Sequence, residues 1–500
     1  MKRTLFFAAL ILISVTLSAC IAEGQSIPTV IDGEEKQNHS LSSFAVNLIP
    51  SAQPVLDDML GASVYEIIVE LLPEQAKIIG LQTVRYTNQE PIALKEVYFR
   101  LFPNTSNANM QIQNVRVDGQ EVATIIKYQN SALRVDLPAP LLPRDTINIT
   151  MEFSADLPRE FGGNYGLYGF FEDSIIALDQ FYPSIPVFNE SGWNVQVPAP
   201  NGDMIFHDPA FFLVTVLAPP DYVIAASGVQ VSEAVKSGKR SQTFLFGPGR
   251  DFYMAASTKF EILSAKVGDT VVTSYFPGGM EEGGKLVLDT AVQALESFNE
   301  RFGIYPYTEL DLGATPMTAG GMEYSSMVVL AKHLYDPNQM VGGMPNFVFL
   351  ESATAHEVAH QWFFNMVMSD QINEPWLDEG MVQYLTYLYY LDRYGTGAAE
   401  QFLDSFRLRW SRIASNPIPI GLPAAAYSQV EYTAIIYGRA PLFIHTLKDV
   451  LGSEDFERFL KEYFQKNQWG IVSLEDFKNL AEEICSCDLN PQFEEWVFEQ

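Results

Sequence analysis

Apolar residues alternate along the first half of this 500-residue chain and recur at helical spacing along the second. That change of period limits the fold more than any single motif does. In TINITMEF, the residues Ile147, Ile149, Met151 and Phe153 fall on one face, as a half-buried strand requires. NVRVDGQEV sets Asp118-Gly119 between two short runs, which predicts a hairpin because both residues tolerate positive φ. VYEIIVELL, EVYFRLF and FFLVTVLAPPDYVIAASG continue the β-branched and aromatic character, broken by proline and glycine. Near GRDFYMAASTKFE the pattern changes. From Lys285 onward Leu288, Ala291, Leu295, Phe298 and Phe302 trace a helical stripe, and FERFLKEYFQKN, LEDFKNLAEEI and NPQFEEWVF extend the helical character to the end. Short strands are expected there only near LDLGATPM and MVVLA. The expected fold is therefore α+β and multidomain, with an all-β saddle or sandwich over 62–262 and a mainly α domain over 263–500.

Before residue 62 two further segments are expected. MKRTLFFAALILISVTLSAC has a basic start and an apolar stretch too short to span a bilayer, so 1–19 reads as a signal peptide. Leu17-Ser18-Ala19-Cys20 resembles a bacterial lipobox, which implies cleavage before Cys20 and lipid attachment to it. The mature chain would then be an extracytoplasmic lipoprotein held at a membrane surface. Residues 20–61 lack a sustained period and read as a flexible tether. The formal charge of −30 repels phosphate backbones and argues against nucleic acid as a partner. Only Cys485 and Cys487 remain beyond Cys20; a disulfide between them is open, with the tightness of a Cys-x-Cys loop against it.

The chemistry concentrates in HEVAHQWFFNMVMSDQINEPWLDEG. His356 and His360 stand one helical turn apart, so both imidazoles leave the same side of a helix expected over FVFLESATAHEVAHQWFFNMV. Two imidazoles on one face supply two corners of a zinc tetrahedron, with Glu357 beside them to take a proton from water. Glu379 follows eighteen residues after His360, early in a second helix beginning at Pro375. A helix–loop–helix excursion of that size can return its carboxylate as the third ligand and leave the fourth corner open. Asp378 is the expected partner that orients an imidazole.

H-E-x-x-H, eighteen residues, then E within W-L-x-E-G resembles the gluzincin metallopeptidases, the aminopeptidase N family in particular. The resemblance covers about 62–500 and implies a thermolysin-like catalytic domain holding one Zn2+ per chain. It departs from the family at Phe364, where glycine is usual; adjusted packing is expected. Gly320-Gly321-Met322-Glu323-Tyr324 resembles the family's G-x-M-E-N element, with Tyr324 in place of asparagine. The resemblance implies an extended strand along the cleft, on which Glu323 pairs with the free amino terminus of a peptide. Tyr437, in IIYGRA, resembles the tyrosine that donates to the oxyanion, with Tyr432 as a rival. The implied activity is removal of N-terminal residues from peptides by attack of a metal-activated water, with Glu357 as base. Endopeptidase activity and a non-catalytic peptide-binding role are the alternatives. The stretch Gln180–Asn189 is expected to face the cleft. Larger relatives carry a further helical domain that covers the site and reads the far end of a peptide. That domain is not recognised here, so no reader of the far end is expected.

Overall fold

The computed structural model describes residues 40–197, 199–341, 343–413 and 418–498. The leader and Cys20 lie outside these residues. Alternation along the first half produces an eight-stranded sheet centred on Ser63–Leu72, which pairs antiparallel with Lys77–Thr87 and parallel with Ala210–Ala218. The strand Thr146–Asp156 turns Ile147, Ile149, Met151 and Phe153 inward, as its period requires. Asp118 and Gly119 take φ of 47° and 82° at the predicted hairpin, joining Gln111–Val117 to Gln120–Glu121. Smaller sheets of two, three and four strands complete the β region.

The strand Phe260–Val267 opens a different sheet of five strands, whose edge is the short strand Gly321–Met322. Helices dominate from there on. In Glu281–Arg301 the predicted stripe Leu288, Ala291, Leu295 and Phe298 is buried. Helices Asn346–Ala359 and Met381–Tyr394 cross the middle of this region and bring the histidine motif and Glu379 to one place. An all-β part followed by a mainly helical part is thus the observed architecture, as the change of period predicts. No helix among the described residues is long and apolar enough to cross a membrane.

Two expectations need correction, and one open question is answered. The tether does not extend to residue 61: Leu41–Asn47 forms a 3-10 helix, Phe44 is fully buried, and the Ile49 amide donates to the Pro306 carbonyl. Leu41, Phe44 and Leu48 carry that docking at spacings of three and four, diluted by serines that made the stretch look unpatterned. The helix expected to run through Val367 stops at Ala359, and residues 361–367 form turns in which Phe364 sits at φ 149°. A glycine is at ease at that φ and a phenylalanine is not, so Phe364 departs from the expected pattern in backbone conformation and not only in packing. Finally, Cys485 and Cys487 are joined in a disulfide. Ser486 between them adopts φ 50° at the end of helix Leu474–Cys485, which turns the chain back and brings the two Cα atoms to 5.2 Å.

Candidate active site

His356 lies in the last turn of helix Asn346–Ala359 and His360 caps it, so their imidazoles share a face as the spacing predicts. The Nε2 atoms of the two rings face one another at 3.2 Å. Glu379 Oε2 stands 3.0 Å from the first and 3.7 Å from the second. Ligand atoms held about 2.05 Å from a tetrahedral zinc stand about 3.3 Å apart; the observed triangle has edges of that size.

The outer nitrogens decide what the inner ones present. His360 Nδ1 meets the Phe363 carbonyl at 3.0 Å and Asp378 Oδ1 at 3.2 Å, so it carries the proton. His356 Nδ1 meets Thr386 Oγ1 at 3.3 Å, and that hydroxyl already donates to the Val382 carbonyl. Both Nε2 lone pairs and a carboxylate oxygen therefore converge on one point. Burial opposes ionisation of Glu379, yet the imidazoles of His356 and His360 beside it hold its carboxyl well below the usual range. Burial also disfavours charge on His360, but Asp378 and Glu323 outweigh it and hold the imidazole well above its ordinary value. The carboxylates demand positive charge where the rings meet. Among the described residues no fourth histidine, cysteine or carboxylate joins the His356, His360 and Glu379 group, so one corner stays open. The donor set fits a catalytic zinc, and Asp378 orients His360 as expected.

Two five-residue π-helical turns deliver the remaining groups. Trp376–Gly380 carries Glu379, and Ile435–Arg439 carries Tyr437. The extra residue in each turn rotates one side chain out of α-helical register, a device common at functional sites. The Tyr437 hydroxyl donates to Glu379 Oε1. Tyr432, the rival, lines the same cavity, but its hydroxyl lies against Gly202, where a Cβ would stand 2.7 Å from it.

Edge strand Gly321–Met322 crosses directly over the base. A Cβ on Gly321 would stand 2.5 Å from Glu357 Oε1, so only glycine fits there. Gln361 anchors the same segment by donating to the Tyr324 carbonyl at 3.0 Å and accepting from the Ser326 amide at 2.9 Å. Tyr324 itself stacks on Tyr253, centroids 4.1 Å apart, which supports the segment in the absence of the usual asparagine. Glu323 is buried, and Gln371 links it to Asp378, the partner of His360, reaching Glu323 Oε1 at 3.4 Å and Asp378 Oδ2 at 2.8 Å. Burial pushes the Glu323 carboxyl upward, eased by His360 and reinforced by Asp378 and Glu379. Glu357 is raised well above its ordinary value by burial and by Glu323. Gly320, Gly321, Met322, Glu323, His356, Glu357, Glu379 and Tyr437 all line one cavity of about 300 Å³.

The β region contributes residues that sequence reasoning missed. Tyr165 and Gly202-Asp203 line this cavity, whereas Gln180–Asn189 does not. Residues of that stretch line a separate cavity of about 650 Å³, which contains none of the histidine motif. Asn201 fastens the Asp203 loop to the helical region, donating to the carbonyls of Ala424 at 3.2 Å and Tyr427 at 2.7 Å. The Gly202 amide donates to the Tyr165 hydroxyl at 3.1 Å. Asp203 thereby reaches Glu379 and Asp378, with carboxylate oxygens of all three within 4.8 Å of one another. Asn201-Gly202 is a turn signal, but nothing local reveals where its neighbour points.

Residues 286–496 match the peptidase family M1 domain. Among relatives, aminopeptidase M1-B of Oryza sativa subsp. japonica is 27% identical over 59% of this chain and 35% of its own length. Aminopeptidase 2 of Candida albicans is 22% identical over 93% of this chain and 50% of its own. The chain thus spans between a third and a half of the length of these relatives. An M1 zinc metallopeptidase from Deinococcus radiodurans shares the fold at a TM-score of 0.68 and 19% identity, over 87% of this chain and 93% of that one. A two-domain M1 zinc metallopeptidase bound to L-arginine matches with a TM-score of 0.67 at 19% identity, over 88% and 94% of the two chains. The M1 peptidase domain match over residues 286–496 thus encloses His356, His360 and Glu379, and the chain is similar to M1 zinc metallopeptidases in that stretch.

Proposed function

We propose that the protein is a zinc-dependent aminopeptidase. The observation that carries the reading is the convergence of two imidazole lone pairs and the Glu379 carboxylate, with buried Glu323 in the same cavity. A zinc ion held by His356, His360 and Glu379 supplies Lewis acidity to that corner of the cleft. Glu357 takes a proton from the attacking water and later gives it to the departing amine nitrogen. The Tyr437 hydroxyl donates to the substrate carbonyl oxygen as it gains negative charge. Glu323, with Asp203 across the cleft, holds the ammonium of the first residue and so places the first peptide bond beside Glu357.

The deciding experiment compares aminoacyl amides with their N-acetylated twins, with and without zinc. Hydrolysis confined to free amines in the zinc-loaded protein supports the assignment; equal cleavage of acetylated substrates removes the role given to Glu323 and favours endopeptidase action. We further propose that the mature chain is a bacterial lipoprotein, anchored through Cys20 to the outer face of a membrane. The basic, apolar and lipobox-like leader supports that location. Metabolic labelling with a fatty acid, lost in Cys20→Ala, tests it.

A further inference from the structure

The cleft is acidic on nearly every side: Asp203, Glu323, Glu357 and Glu379 line it. One lining residue has the opposite charge. Arg409, on helix Thr396–Ser411, is the only arginine or lysine among the described residues that line it. Its guanidinium makes no ion pair with a carboxylate of the described residues. One nitrogen, Nη1, reaches two neutral acceptors, Ser405 Oγ at 3.2 Å and the Tyr437 carbonyl at 3.4 Å. Burial, with Arg412 nearby, lowers its basicity to about 10, so it stays charged at neutral pH. A half-buried guanidinium whose planar fork lacks an anionic partner is matched to a carboxylate, which it binds through two parallel hydrogen bonds.

We infer that Arg409 receives the C-terminal carboxylate of a short peptide whose amino terminus lies at Glu323, making di- and tripeptides with free ends the preferred substrates. The inference rests on the aminopeptidase reading and adds the substrate class. The cavity lining carries both carboxylates and a guanidinium, the two kinds of charge that such a zwitterion needs. An extended tripeptide spans about 10 Å, and a cavity of about 300 Å³ is at the small end of ligand sites. Arg409 also steadies the turn that carries Tyr437, so a loss of rate alone would not separate binding from support.

Calorimetric titration separates them. Glu357→Gln protein, in zinc-containing buffer, is titrated with Ala-Ala, Ala-Ala-Ala and their C-terminal amides. The expected result is acid binding at least about tenfold tighter than amide binding, a preference that falls to near one on adding Arg409→Gln and is partly kept by Arg409→Lys. Because the readout is a ratio within each protein, loosening of the Tyr437 turn cancels. Equal affinity for acid and amide, binding of neither, or a preference unchanged in Arg409→Gln overturns the inference. Turnover of aminoacyl p-nitroanilides by the unmutated protein, which involves no terminal carboxylate, reports separately on the aminopeptidase reading.

Discussion

The oxyanion donor can be settled by a pair of single-atom deletions. Tyr437 bonds Glu379 while Tyr432 packs against Gly202, so Tyr437→Phe should lower kcat by about 10²–10³ and Tyr432→Phe by far less in steady-state assays. Asp203 lies beside Glu379 but outside the histidine pair. For Asp203→Asn we expect KM for free-amine substrates to rise about tenfold with a smaller change in kcat, the mark of a lost ground-state contact. A different carboxylate governs stability. Burial pushes Asp179 from 3.8 up to about 7, against the pull of hydrogen bonds such as that from Asn164. The folded state therefore holds this proton longer than the unfolded chain does. The associated stability is complete below about pH 4 and is lost as pH rises toward 7. Thermal melts from pH 4 to 8 should show Tm declining in the parent and declining less in Asp179→Asn. The positions of His356, Glu357, His360 and Glu323 were readable because each lies in a short local motif, and that of Glu379 because it follows His360 at a fixed spacing. Asp203 and Arg409 were not, since each lines the cavity only through packing of segments far apart in sequence.

Two elements carry the chemistry in ways their residue patterns conceal. The turns Trp376–Gly380 and Ile435–Arg439 each hold an additional residue, and they press together closely enough that a Cβ on Gly380 would lie 2.6 Å from the Ala440 Cβ. The helix expected from Pro375 includes the first of them; periodicity has no means of announcing a five-residue turn. Strand Gly321–Met322 is the other such element. Gly321→Ala drives a methyl into Glu357, so activity should fall at least about 10²-fold while the melting temperature moves little; an unimpaired enzyme would mean the strand yields without disturbing the base.

At the scale of the whole molecule, Arg250 joins the two halves. It leaves the end of the β region and donates to the carbonyls of Asn365, His207, Met366 and Gly470, fully buried. Arg250→Met strands these acceptors and should cost on the order of 3–5 kcal/mol, seen as an earlier urea midpoint by both fluorescence and activity. Chelation should abolish activity and lower Tm together, because a ligand bound only by the folded state stabilises it by about 4 kcal/mol at a thousandfold excess over Kd. Residue order alone determined the division into alternating and helical halves, the helical face shared by the two histidines, and the glutamate between them. These follow from periods of two and 3.6, which any local segment expresses. Only the tertiary structure decided that the 41–60 segment docks, that a β-region loop brings Asp203 to the metal ligands, and that one arginine faces an acidic cleft. Such features depend on which surfaces meet, and burial and charge are properties of the meeting rather than of either segment.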